Sequence, residues 1–222
     1  MNNISINLSL AATIGDLDNL YALVKEGGDI NQHDGEALIE AIKAQDMNMV
    51  IALVHLGANV NQQQHGQWGM PLAKAAQAGN IEILSYLLDQ GADRYNLAIT
   101  AATTLGKTDI LKHLVGRGIA VHVQSQELTH CLNLKQGDTA LYLMQIGHEL
   151  TDSQVFTAVL NELHQVVDHV IYRTTYLPGK VLSATLMNTK YEYFLHGIAK
   201  RELNHKLNQS SPPLPKEKLR KI

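Results

Sequence analysis

Pro71-Leu72-Ala73-Lys74-Ala75-Ala76-Gln77-Ala78-Gly79-Asn80-Ile81-Glu82-Ile83-Leu84-Ser85-Tyr86-Leu87-Leu88-Asp89-Gln90-Gly91-Ala92-Asp93 reads as two short helices with the turns that close them. In the first helix Ala75 and Ala76 follow Leu72 by one turn and give a small-residue face; Gly79 ends it. Asn80 stands where its side-chain oxygen can accept an amide left unpaired at the start of the next helix. That helix carries Leu84, Leu87 and Leu88 at the i, i+3, i+4 spacing of one apolar stripe. Gly91 lies where the chain leaves the helix through a left-handed residue.

The same grammar recurs along the chain. Helix-ending glycines stand at Gly27, Gly57, Gly91, Gly118 and Gly147, spaced 30, 34, 27 and 29 residues apart. The stripe recurs as Leu20, Leu23, Val24; Val50, Leu53, Val54; Leu111, Leu114, Val115; and more weakly Ala140, Leu143, Met144. The first-helix leucine recurs as Leu8, Leu38, Ile99 and Leu128. A fixed period of this length built on helix pairs predicts a stacked array in which each unit buries its apolar face against its neighbours.

The units resemble ankyrin repeats. Met70-Pro71-Leu72-Ala73-Lys74-Ala75 stands where that family has Thr-Pro-Leu-His-x-Ala. Ala11-Ala12-Thr13-Ile14-Gly15 and Ala75-Ala76-Gln77-Ala78-Gly79 match its Ala-Ala-x-x-Gly, while Gly57-Ala58-Asn59-Val60-Asn61 and Gly27-Gly28-Asp29-Ile30-Asn31 match its Gly-Ala-x-Val-Asn. The resemblance covers about residues 5–150, with a worn sixth unit beyond; Gln45 and Lys135 replace the turn glycine in the second and fifth units. It implies an all-α ankyrin-repeat solenoid of helix-turn-helix pairs with short β-hairpin fingers. The expected organisation is an array over 1–174, a helical cap over 175–208, and a basic, proline-containing tail over 209–222 without a packed core.

Composition sets outer limits. The chain has 222 residues, 45% of them hydrophobic, and a net charge of −3. From Lys200 onward there are seven basic and two acidic residues; the rest holds 11 of the 18 basic and 19 of the 21 acidic ones, so the body carries −8 and the tail +5. An acidic body repels phosphates and argues against nucleic acid as the ligand of the repeats. The single cysteine, Cys131, excludes an intramolecular disulfide and falls at the small position taken by Ala11, Ala41, Ala75 and Ala102 elsewhere. No apolar run reaches the ~20 residues of a membrane span. Residues 1–12 lack the features of a signal peptide, so a cytoplasmic protein, or one exported to a host cell without such a signal, is expected.

The first unit begins with polar residues (Asn2, Asn3, Ser5, Asn7, Ser9), as suits an end of the stack; Leu10 and Ile14 depart from that and are expected to face the inner groove. Asp46 and Thr151 or Asp152 are placed to cap later helices. The longest connection, Gln62-Gln63-Gln64-His65-Gly66-Gln67-Trp68-Gly69, holds the only tryptophan. Trp68 is either a partner anchor at a finger tip or a residue packed on its neighbours; both readings stay open. The next finger is short, since Tyr95 and Asn96 follow Arg94 almost directly into a helix.

Catalytic spacing is missing. His164 and His169 lie about 140° apart on a helix, and His-Glu-x-x-His, Cys-x-x-Cys and Gly-x-Ser-x-Gly do not occur. Gly116-Arg117-Gly118 lacks the Lys-Ser/Thr of a phosphate-binding loop. No catalytic, cofactor or metal residue is assigned. Scaffold positions repeat while inner positions vary, and the resemblance implies a non-catalytic module that grips a partner protein with its concave side. The residues expected there are His33, Asp34, Glu40, Lys43, Gln62, Gln64, His65, Gln67, Trp68, Lys74, Gln77, Tyr95 and Asn96. A monomer is expected, and the resemblance is compatible with a bacterial effector acting in a host cell. The alternative is a small enzyme or regulatory subunit using Tyr176, Tyr191, Tyr193, His196 and His205 in the non-repeat C-terminal segment.

Overall fold

The computed structural model describes residues 3–62, 70–173, 196–201 and 203–204. Among them the chain is α-helical throughout, with no strand. The helices come in pairs: α1 (Asn3–Ile14) with α2 (Leu17–Lys25), α3 (Gln32–Lys43) with α4 (Met47–His55), α5 (Pro71–Ala78) with α6 (Ile81–Asp89), α7 (Tyr95–Thr104) with α8 (Thr108–Gly116), α9 (Ser125–Asn133) with α10 (Gly137–Gln145), and α11 (Asp152–Leu160) with α12 (His164–Arg173). The chain divides into two compact units, Met1–His148 and Glu149–Ile222.

In the first unit α1, α3, α5, α7 and α9 pack side by side as one layer, and α4, α6, α8 and α10 as a second. The layers approach closely because one first-helix position is always small. Ala11, Ala41, Ala75, Ala102 and Cys131 are all 0% exposed. Leu8, Leu38, Leu72, Ile99 and Leu128 fill the adjoining space. Each such leucine contributes about 1.5–3 kcal/mol by leaving water.

The second-helix stripe is rotated from its expected setting. Ile83, Leu84 and Leu87 are fully buried, as are Ile110, Leu111 and Leu114, whereas Leu88 and Val115 are half-buried. One residue along a helix turns by about 100°, so Ile83, directly below Leu87, shares its seam and Leu88 faces outward.

The ends of α2 to α11 close in one way. After α6, Gly91 N–H donates to Leu88 O at 3.1 Å and Ala92 N–H to Leu87 O at 2.9 Å. After α5, Gly79 and Asn80 make the matching pair to Ala76 O and Ala75 O. This closure needs a left-handed residue. Where glycine is missing the backbone still adopts it, with φ of 56° at Gln45, 58° at Lys135 and 60° at Glu162. Asp16, Asp46 and Asn80 cap the helices that follow by accepting the amides of Asn19, Met49 and Ile83. In the second unit Thr151 caps α11 jointly with Gln154, while α11 packs on α12 through buried Val155, Val159, Val167 and Val170.

The expected β-hairpin fingers are not strands among the described residues. The described residues of the connections after α2 and α4 include turns held by asparagine side chains instead. Residues 63–69 and most of the expected cap and tail lie outside the described residues; 196–201 are helical.

Candidate functional site

The site is built on the first-helix layer of the Met1–His148 unit. In α5, Leu72, Ala73, Ala75 and Ala76 are buried, so Lys74, Gln77 and Ala78, at i, i+3 and i+4, make the open face. The same register on the neighbouring helices gives two rows across the layer. One row runs Leu10, Glu40, Lys74, Ala101 and His130, open except at the fully buried Ala101; the other, one turn later, runs Ile14, Ala44, Ala78, Leu105 and Leu134. The second row is apolar at every position, yet Ile14 is 64%, Leu105 40% and Leu134 51% exposed.

Four of the expected residues meet on α3 and α5. Lys43 pairs with Glu40 at 2.5 Å, and Lys74 Nζ donates to Gln77 Oε1 at 3.2 Å. Burial pulls the Lys74 pKa below the ordinary lysine value, the Lys43 charge adds to this, and Glu40 opposes it. Two ammonium groups therefore lie near one carboxylate, which pairs with Lys43.

The described residues of the connections before α3, α5 and α7 are linked by asparagine side chains. Asn31 Nδ2 donates to Gly57 O at 2.9 Å, and Asn31 Oδ1 accepts the Asn59 amide at 2.7 Å. Asn61 repeats the arrangement toward Gly91 O at 3.0 Å and the Asp93 amide at 3.1 Å. His33, Asp34 and Gly35 follow Asn31 as three successive left-handed residues, with φ of 52°, 55° and 72°. Gln62 packs on this turn so closely that a Cβ at Gly35 would lie 3.1 Å from Gln62 Cγ. His33 is exposed and Asp34 half-buried. Tyr95, 37% exposed, and Asn96 open α7 where the asparagine series stops. Gln64, His65, Gln67 and Trp68 lie outside the described residues.

Chemistry is sparse. Among the described residues no group of three or more His, Cys, Asp or Glu is placed to hold a metal ion. Ser85 Oγ lies 2.8 Å from His113 Nε2 and 2.7 Å from Ile81 O, so its one proton has a backbone acceptor at the same range as the imidazole. Of the residues weighed for an enzyme, Tyr176, Tyr191, Tyr193 and His205 lie outside the described residues, and His196 is exposed. No helix among the described residues is long and apolar enough to cross a membrane.

A family model for ankyrin repeats (3 copies) matches residues 8–98. Residues 8–98 are ankyrin repeats. The ankyrin repeat and KH domain-containing protein mask-1 of Caenorhabditis elegans is 32% identical over 94 residues, which is 41% of this chain and 4% of that protein. The chain thus spans a small fraction of that relative's length. The helix pairs, small first-helix position and turn closures of the ankyrin segment continue through α9 and α10 in the same register.

Ankyrin repeats over residues 8–98 indicate a protein-interaction module. Variability between units singled out Glu40, Lys43, Lys74 and Gln77, which the structure sets together on α3 and α5. Leu105 and Leu134 were not singled out, although both directly precede the turn residue, as Ile14 precedes Gly15.

Proposed function

We propose that this ankyrin array is a non-catalytic module that binds a partner protein across the open face of its first helices and the adjoining connections. The observation that carries the reading is the row of exposed apolar residues, Ile14, Leu105 and Leu134, beside the Lys43–Glu40 and Lys74–Gln77 groups. Exposed apolar side chains in one row, rimmed by polar groups, are the kind of patch that marks an interaction surface. Support from the mask-1 relative extends only to the matched 94 residues, 4% of that protein.

Affinity capture with quantitative mass spectrometry tests this, comparing the wild-type chain with Leu105→Arg and Lys74→Glu. Circular dichroism confirms that each variant is folded. The expected result is a set of proteins enriched by the wild type and lost with both variants. Retention of the same set by both would overturn the assignment of this face.

A further inference from the structure

The open face is not uniform, and its pattern specifies what it would bind. On α1 it is apolar, with Leu10 and Ile14 exposed by 55% and 64%. On α3 and α5 it is charged, and on α7 it is apolar again at Leu105. Adjacent packed helices lie about 8–10 Å apart. Lys74 is therefore about 10 Å from the Leu105 position and about 20 Å from the Ile14 position.

The charge in the middle is incompletely neutralised. Glu40 is engaged by Lys43 at 2.5 Å. Lys74 donates to the neutral Gln77 amide at 3.2 Å, and among the described residues no carboxylate comes within ion-pair distance of it. Half-burial of the Lys74 stem leaves the ammonium at the surface beside the apolar row, open to a counter-charge.

Resting on the function proposed above, we infer that the occupant is a protein segment carrying one carboxylate between two apolar side chains. The carboxylate pairs with Lys74, one apolar side chain sits on Leu105, and the other reaches Ile14 and Leu10. The body of the chain carries −8. A run of acidic residues would be repelled by that field, so a single carboxylate among apolar residues is the matching pattern.

The test is selection of a phage-displayed library of random 16-residue peptides on the full chain and on Lys74→Glu, Lys74→Gln and Leu105→Arg. Thermal unfolding confirms that each bait is folded. Peptides from the wild-type bait should share an Asp or Glu flanked by apolar positions. Lys74→Gln should weaken them roughly tenfold, the effect of losing about 1.4 kcal/mol. Lys74→Glu should select Lys or Arg in the same place, and Leu105→Arg should lose the peptides altogether. A pool that depends on Leu105 but has no acidic preference overturns this inference and leaves the open-face reading standing. A pool indifferent to every variant, or no enrichment on the wild type, overturns both.

Discussion

Asn31 and Asn59 are joined across a repeat boundary: the Asn31 side chain accepts the Asn59 amide at 2.7 Å while its amide group donates to Gly57 O at 2.9 Å. One side chain thus satisfies a donor and an acceptor of the next repeat, and Asn61 does the same for the repeat after it. Both bonds are lost in Asn31→Ala. Solvent reaches the groups left behind, so the expected cost is about 1 kcal/mol. Asn31→Asp keeps the acceptor and loses the donor, so it should fall between wild type and alanine. Urea unfolding of the three proteins checks the order.

Gln45 and Lys135 hold a backbone conformation that suits glycine, at φ of 56° and 58°. A left-handed setting costs a side-chain-bearing residue about 1–2 kcal/mol, partly offset by the greater freedom of glycine in the unfolded chain. Gln45→Gly and Lys135→Gly should each raise stability by about 0.5–1 kcal/mol. Gly79→Ala, at φ of 75°, should lower it by a similar amount. Thermal unfolding of the three variants would show the two opposite signs.

Cys131 is enclosed at the small position of α9, its thiol directed to Gln136 O at 3.4 Å. Burial pushes its pKa from the ordinary 9.0 to about 12. The folded chain therefore holds this proton more tightly than the unfolded chain does. The contribution to stability is complete below pH 9 and is lost as pH rises toward 12, at up to about 1.4 kcal/mol per pH unit. Comparing the pH dependence of unfolding in wild type and Cys131→Ala between pH 8 and about 10.5 isolates this group. The native thiol should also react with iodoacetamide far more slowly than the same thiol in urea.

Leu87 and Leu88 adjoin in sequence but differ in environment, Leu87 being 0% exposed and Leu88 half-buried. Leu87→Ala should cost about 2–5 kcal/mol, with the upper part of the range reached if the seam does not close over the cavity. Leu88→Ala should cost about 1 kcal/mol, because its carbons are already partly in water. Equal losses in chemical denaturation would show that the seam is not centred on Ile83, Leu84 and Leu87.

The repeat period, the helix pairs, the small buried position at Cys131 and the caps at Asp46 and Asn80 were legible in the sequence, because each is fixed by local chemistry recurring in every unit. The rotation of the second-helix stripe was not. Leu84, Leu87 and Leu88 satisfy the same spacing rule as Ile83, Leu84 and Leu87, and only the neighbouring helices choose between them. The left-handed run at His33 and Asp34 was equally hidden, since neither residue type demands it and the packing of Gln62 on Gly35 accompanies it. The open face was half legible. Charged residues such as Lys74 declared themselves by standing out from a conserved grammar within the chain, whereas Leu105 and Leu134 looked like any other apolar residues until their exposure was known.

Each turn of the array is closed by bonds made within a few residues of itself, as Gly91 and Ala92 close on Leu88 and Leu87. A recombination event that copies or drops one whole helix pair therefore carries that pair's turn closures with it. The number of units becomes a quantity that inheritance can adjust in steps, and the span presented to a partner lengthens or shortens without redesign of any single part.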